Sequence, residues 1–105
     1  MSTDVELFRD ILMVLETYQT SPRSVVVVSA EFESETLGRA PEDIEDSLAT
    51  LLDYDYIDGP GPDEPGFFLF RKLTRKGLEF IKASRHPRDW EKLKRRYAER
   101  QLDAR

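Results

Sequence analysis

A turn-rich segment in the second half of the chain limits the possible folds most strongly. Residues 58–66 read Asp-Gly-Pro-Gly-Pro-Asp-Glu-Pro-Gly, with three glycines and three prolines in nine positions. Proline lacks the backbone N–H and glycine favours turn conformations, so this run interrupts any helix or central strand. The strand-like runs Tyr56-Ile57 and Phe67–Leu73 flank it. The arrangement predicts a β-hairpin with a long, stiff tip.

Apolar residues at helical spacing predict five helices around this hairpin. Thr3 and Glu6 have the spacing of a capping box at the start of the first helix, and Pro41 suits the first position of the third. In the second helix Phe32 and Leu37 are the expected apolar anchors. The β-branched run Val25–Val28 predicts a short strand before the second helix. The predicted helices span residues 3–19, 31–37, 41–54, 75–84 and 88–102.

The fourth predicted helix follows the hairpin directly. Thr74 is its expected N-cap, and Leu78, Ile81 and Phe80 are its expected inward-facing side chains. Gly77 lies in its first turn, where glycine costs about 1 kcal/mol relative to alanine. We therefore expect that turn to approach the hairpin or the third helix closely.

Two segments carry a resemblance to a known superfamily. Residues 73–81, Leu-Thr-Arg-Lys-Gly-Leu-Glu-Phe-Ile, resemble the LTxxGxxFL segment that follows the wing in many winged-helix proteins. Residues 51–57 are similar to the LxxxGxI end of the third helix there, with Asp55 where glycine is usual. Residues 4–12 and 89–92 resemble a small bacterial and phage winged-helix family without an assigned function.

The resemblance implies an α+β winged helix-turn-helix fold. It would have a three-helix core, a β-wing of two to three strands, and an additional C-terminal helix. At 105 residues the chain is expected to form a single domain over 1–105. The predicted core covers 1–87, with the wing at about 56–73, and the predicted C-terminal helix covers 88–102.

Charge is distributed very unevenly along the chain. Residues 1–70 contain 16 acidic and 3 basic residues, whereas residues 71–105 contain 5 acidic and 13 basic ones. Winged-helix proteins usually place the third helix in the DNA major groove, where lysine and arginine neutralise phosphates. Here the third helix contains no base, so phosphate would repel it. Its candidate protein-interaction residues are Glu42, Asp43, Glu45 and Asp46.

These charges support a non-enzymatic regulatory module that acts through protein–protein contacts, with a protein partner or as a homodimer. The alternative is a transcription-regulator-like protein that binds DNA through its basic C-terminal half. The candidate nucleic-acid surface is then Arg71, Lys72, Arg75, Lys76, Lys92, Arg95 and Arg96. A plain solvated charge pattern is also compatible with the same residues.

An aromatic stripe in the last predicted helix has two interpretations. Trp90, Leu93 and Tyr97 fall on one narrow helix face. The stripe can dock the last helix onto the body of the domain, or it can meet a second copy of the chain. The sequence leaves this choice open.

Several classes of function are not expected. The chain has no cysteine and a single histidine, His86, so no thiolate, multi-histidine or Ser-His-Asp site is evident. Asp53 to Glu64 has the length of a calcium loop, but Asp58 occupies its required glycine position. We expect no catalytic residues, cofactor, metal or small-molecule substrate. With no signal peptide or membrane-length apolar run visible, we expect a cytoplasmic protein.

Overall fold

The computed structural model of the protein describes residues 4–19 and 24–100, with side chains as far as residue 96. Within these residues the architecture is α+β, with five helices and two small antiparallel sheets. The elements in order are α1 (Val5–Tyr18), β1 (Val26–Ser29), α2 (Ala30–Leu37), α3 (Pro41–Asp53), β2 (Ile57–Asp58), β3 (Gly61–Pro62), β4 (Phe67–Phe70), β5 (Lys72–Leu73), α4 (Arg75–Ser84) and α5 (Pro87–Arg100).

Helix α1 forms the centre of the helical layer and packs against α3, α4 and α5. The predicted capping box is wrong, because the N-cap is Asp4, whose carboxylate accepts the Leu7 N–H at 3.0 Å. Thr3 lies outside the described residues. The buried side chains recur at three- and four-residue spacing, as expected for a helix with one face in the core. They are Leu7, Phe8, Ile11, Leu12 and Leu15.

The predicted hairpin is present, but its second arm is two strands and not one. Strand β4 pairs with β3 near the tip, and β5 pairs with β2 at the base. Arg71 separates β4 from β5, and its N–H donates to the Asp58 carbonyl at 2.9 Å. The predicted strand at Val25–Val28 is shifted by one residue to β1, which joins the hairpin as a third strand. The sheet order is therefore β1-β4-β3.

Helix α2 buries a different face from the predicted one. Ser29 caps it, and Gly38 ends it in a left-handed conformation with φ of 68°. Its buried residues are Ala30 and Glu33, whereas Phe32 is 58% exposed. The expectation that Phe32 anchors this helix is wrong, because Phe32 lies two residues beyond Ala30 and so on the opposite side of the helix.

The junction between α3 and the hairpin depends on one unusual backbone position. Asp55 has φ of 64°, and no other non-glycine residue in the described part of the chain has positive φ. This left-handed conformation is normally taken by glycine and is tolerated by aspartate. Position 55 is therefore one that glycine would also suit.

Helix α4 begins as predicted, with Thr74 accepting the Gly77 N–H at 3.1 Å. A Cβ on Gly77 would overlap the Tyr56 carbonyl oxygen, so the expected close approach is confirmed. Phe80 and Ile81 are buried, but Leu78 is 47% exposed. The prediction for Leu78 is wrong, because Gly77, Phe80, Ile81 and Ser84 together form the buried face.

Helix α5 begins at Pro87, one residue earlier than predicted, and its described part ends at Arg100. Leu102 lies outside the described residues. Trp90 connects this helix to the core through an edge-to-face contact with Phe80, at 6.3 Å between ring centroids. Tyr56 also contacts Phe80 edge-to-face, at 5.7 Å between ring centroids. These three rings join α5 and the base of the hairpin to α4.

Candidate functional site

The exposed side of α3 is entirely acidic over its first two turns. Glu42, Asp43, Glu45 and Asp46 are all exposed, and we call these four residues the acidic face. They are held outward because the opposite side of the helix enters the core through Ile44, Ser47, Leu48 and Leu51. Pro41 sets the helix start, and the two acids after it are favoured by the helix dipole.

None of these four carboxylates has an ion-pair partner among the described residues. Arg39 is the sole base between residues 24 and 70, and it pairs with Asp4, the N-cap of α1. That hydrogen bond raises the pKa of Arg39, and the charge of Asp43 adds to the effect. Burial raises the pKa of Asp4, but its bonds to Arg39 and Leu7 outweigh burial and leave it below the ordinary value. The acidic face therefore carries an excess of negative charge, offset only in part by Arg39 near Asp43.

The hairpin tip extends the same sign of charge. Asp63 and Glu64 are exposed at the turn between β3 and β4. Their backbones close the turn, since the Asp63 N–H donates to the Phe67 carbonyl at 3.1 Å and the Phe67 N–H to the Glu64 carbonyl at 2.9 Å. Their carboxylates make no ion pair within the described residues. The exposed side of α3 and the hairpin tip therefore carry the same sign of charge.

The basic residues around the hairpin base are partly engaged in contacts within the chain. Arg71 donates to Asp58 at 3.2 Å, and Arg75 lies 4.0 Å from Glu79. Lys76 donates to the Tyr54 carbonyl at 2.9 Å, with its ammonium 4.5 Å from the centre of the Tyr56 ring. Lys72 is exposed on β5.

Three of the predicted basic residues meet at one open cleft between α4 and α5. The cleft has a volume of about 370 Å³ and buried Tyr56 and Phe80 at its wall. Its cations are Lys76, Lys92 and Arg96, and its acids are Glu79 and Asp89. Arg71, Lys72, Arg75 and Arg95 lie outside it. Of the seven predicted nucleic-acid residues, three therefore line the cleft and four do not.

The aromatic stripe of α5 turns toward the body of the domain at its first two positions. Trp90 is buried, and Leu93 is partly buried against the core. The Trp90 ring also lies 4.8 Å from the Arg9 guanidinium and 5.6 Å from the Lys94 ammonium. The Tyr97 side chain lies outside the described part of the chain. The Trp90 ring is therefore packed against residues of the same chain.

A buried polar pair between α1 and α2 was not predicted from the sequence. The Tyr18 hydroxyl donates to Glu33 Oε2 at 2.5 Å, while Glu33 is buried and its Oε1 has no hydrogen-bond partner. Burial and this hydrogen bond raise the pKa of Tyr18 to about 12. The available signal was the spacing of Glu33 from Ala30 and Leu37, at three and four residues along one helix face.

The described residues contain no group of three or more acidic or histidine side chains placed to hold a metal ion. His86 is exposed at the junction of α4 and α5. No helix in the described ranges is both long and apolar enough to cross a membrane.

Residues 2–102 match a family described as Hypothetical protein (DUF2513). The chain belongs to this family. The match covers nearly the whole chain, including α3, the hairpin and α4 and α5. No curated protein and no solved structure matches.

Proposed function

We propose that this chain is a non-enzymatic, winged-helix regulatory module that acts through protein–protein contacts. The order of three helices, a hairpin and a further strand paired to it supports the winged helix-turn-helix assignment. In that assignment α3 is the helix that would enter the DNA major groove, and the hairpin is the wing.

The charge of α3 carries the proposal. Its acidic face presents four exposed carboxylates, none of which forms an ion pair among the described residues. Each of these groups would be repelled by phosphate, and each would attract lysine or arginine of a protein partner. Complementary charge steers association and selects partners, which suits a regulatory contact.

Charge reversal on α3 tests the proposal. We expect Glu42→Lys, Glu45→Lys and Asp46→Lys together to abolish capture of the partners that the unaltered protein enriches from host lysate. The matched control is Glu6→Lys, Glu79→Lys and Glu91→Lys, which changes the net charge equally at exposed positions on other helices. Equal capture by both triple variants would reject the acidic face as the site. Identical far-UV circular dichroism would show that both variants fold.

A second candidate function is DNA binding through the basic surface. The observation that favours it is the convergence of Lys76, Lys92 and Arg96 on the cleft between α4 and α5. Fluorescence anisotropy of a labelled mixed-sequence duplex at about 50 and 200 mM salt tests it, because phosphate contacts weaken steeply over that range. Changing Arg75, Lys76, Arg95 and Arg96 to glutamate should then remove binding and flatten the salt dependence. Absence of binding at low salt would reject it.

A further inference from the structure

Exposed apolar side chains concentrate around strand β1. Five large hydrophobic residues are exposed in the described chain, and four of them lie on β1, just before it, or next to it in space. Val27, 60% exposed, is in the strand and Val25 precedes it. Phe67 lies opposite Ser29, and Phe32 follows in the first turn of α2. Exposed apolar groups that are clustered mark contact sites more often than scattered ones do.

The register places the exposed groups on one face of the sheet. Val27 is directly opposite Leu69, and Ser29 is directly opposite Phe67. Residues opposite each other in an antiparallel pair point to the same face, and alternate residues share that face. The other face carries Val28, Phe68 and Phe70, all of which are buried in the core. On the outer face Val27 and Phe67 are exposed, and Ser29 and Leu69 are partly buried.

The backbone of β1 is also open on one side. The sheet order is β1-β4-β3, so no described strand pairs with the other edge of β1. The Ala30 N–H donates to the Gly66 carbonyl at 2.9 Å, and antiparallel hydrogen bonds alternate along a strand. Val26 and Val28 therefore bond to β4, while the N–H and C=O of Val27 point away from it. Proteins commonly protect such edges with lysine, proline or a bulge, and β1 has none of these.

The surroundings of β1 are acidic. Glu31 is exposed two residues after the strand. The bond from Ala30 to Gly66 brings the hairpin tip, with Asp63 and Glu64, beside the same end of β1. The one base in residues 24–70, Arg39, is already paired with Asp4. A basic segment added at this edge would pair with these acids.

We propose that the open edge of β1 binds an extended, basic segment of a partner protein as an additional β-strand. Main-chain hydrogen bonds to Val27 would provide the pairing, and alternate apolar side chains would pack on the outer face around Val27 and Phe67. Lysine or arginine residues at the end of the segment near Glu31 would set its direction. This surface is distinct from the acidic face of α3, so either can fail without the other.

Titration with a synthetic peptide tests the proposal on the full chain. The probe is a peptide of about seven alternating lysine and valine residues, compared with its glutamate–valine counterpart. We expect the lysine peptide to bind at least about tenfold more tightly than the glutamate peptide. In amide exchange measured by NMR, it should slow exchange at Val27. Equal binding of the two peptides, or unchanged exchange at Val27, would overturn the proposal.

Two variants distinguish peptide binding at the edge of β1 from non-specific binding to exposed apolar side chains. Val27→Pro removes the outward N–H while leaving the bonds of Val26 and Val28 to β4, and edge strands tolerate proline. We expect it to weaken binding of the lysine peptide at least about tenfold, and Val27→Lys to do the same by repulsion. The control is Leu78→Lys, at a comparably exposed apolar site on α4, which should bind as before. Self-association that Val27→Pro abolishes would overturn the proposal in favour of a second copy.

Discussion

The Tyr18 hydroxyl on α1 donates a 2.5 Å hydrogen bond to Oε2 of the buried Glu33 on α2. This bond joins the N-terminal helix to the short helix that precedes α3. It also supplies the single partner of a carboxylate that has little contact with water. The position of α2 therefore depends on a polar contact as well as on apolar packing.

Removing the hydroxyl should destabilise the protein measurably. Tyr18→Phe leaves both oxygens of Glu33 without a partner, which typically costs about 1–3 kcal/mol for a buried polar group. We expect a loss of this size in the free energy of unfolding from urea denaturation at pH 7. Glu33→Gln is the control, because its amide oxygen can still accept from Tyr18, and it should lose less. A loss in Tyr18→Phe below about 0.5 kcal/mol would show that the bond contributes little.

Stability should fall at alkaline pH because of the same residue. The folded-state pKa of Tyr18 is about 12 and its ordinary value is 10.0. Between these pH values the Tyr18 hydroxyl ionises in the unfolded chain but not in the folded one. The contribution of Tyr18 to the free energy of unfolding is therefore fully present below pH 10 and is lost as the pH rises toward 12. Unfolding curves at several pH values should show this decline, and Tyr18→Phe should reduce it. An equal decline in Tyr18→Phe would assign it to other groups.

Gly77 should not tolerate a side chain. Alanine is normally favoured over glycine in a helix by about 1 kcal/mol, but here its Cβ would overlap the Tyr56 carbonyl oxygen. We expect Gly77→Ala to lower the free energy of unfolding by about 1–3 kcal/mol. Glu79→Ala, at an exposed position of α4, should stay within about 0.5 kcal/mol. A stabilised Gly77→Ala would contradict the close approach.

Glycine should stabilise position 55. Asp55 holds a left-handed backbone conformation that costs L-residues about 1–2 kcal/mol, although aspartate tolerates it better than most. We expect Asp55→Gly to raise the melting temperature and Asp55→Val to lower it. Both variants keep the backbone carbonyl that accepts from Thr74 at 2.5 Å. Equal melting temperatures for glycine and valine variants would count against strain at this position.

Trp90 should matter for folding of the single chain. It is buried against Phe80 and stacked by Arg9. Replacing such a tryptophan with alanine typically costs about 3–5 kcal/mol. We expect Trp90→Ala to show this loss in chemical denaturation at every protein concentration. If the free energy of unfolding of the unaltered protein instead fell on dilution, a second copy would cover the stripe.

Much of the fold was predictable because local signals agreed with one another. The proline and glycine run demanded a hairpin, Thr74 capped α4, and Pro41 with its following acids began α3. The acidic face was also predictable, since helical spacing places Glu42, Asp43, Glu45 and Asp46 opposite Ile44 and Leu48. These features depend on backbone sterics and on helical period, which the local sequence determines.

The buried face of helix α2 could not be predicted from the local sequence. The helix has eight residues and few apolar side chains, so the spacing of its apolar residues does not indicate which side is buried. Phe32 was the obvious anchor, yet Ala30 and Glu33 face the core because Tyr18 is placed to bond the carboxylate. That partner lies 15 residues away in sequence and is positioned by the packing of α1.

The sequence by itself determined the order of the helices and the hairpin, the Thr74 cap of α4 and the sign of charge on each element. Only the tertiary structure decided which charges share a surface, since Lys76 and Lys92 come together through the packing of α4 on α5. It also decided that β1 joins β4 and leaves the Val27 edge open. The physical reason is that local sterics fix a helix or turn within a few residues. Strand pairing and helix contacts depend on packing between distant segments, which no short stretch of sequence encodes.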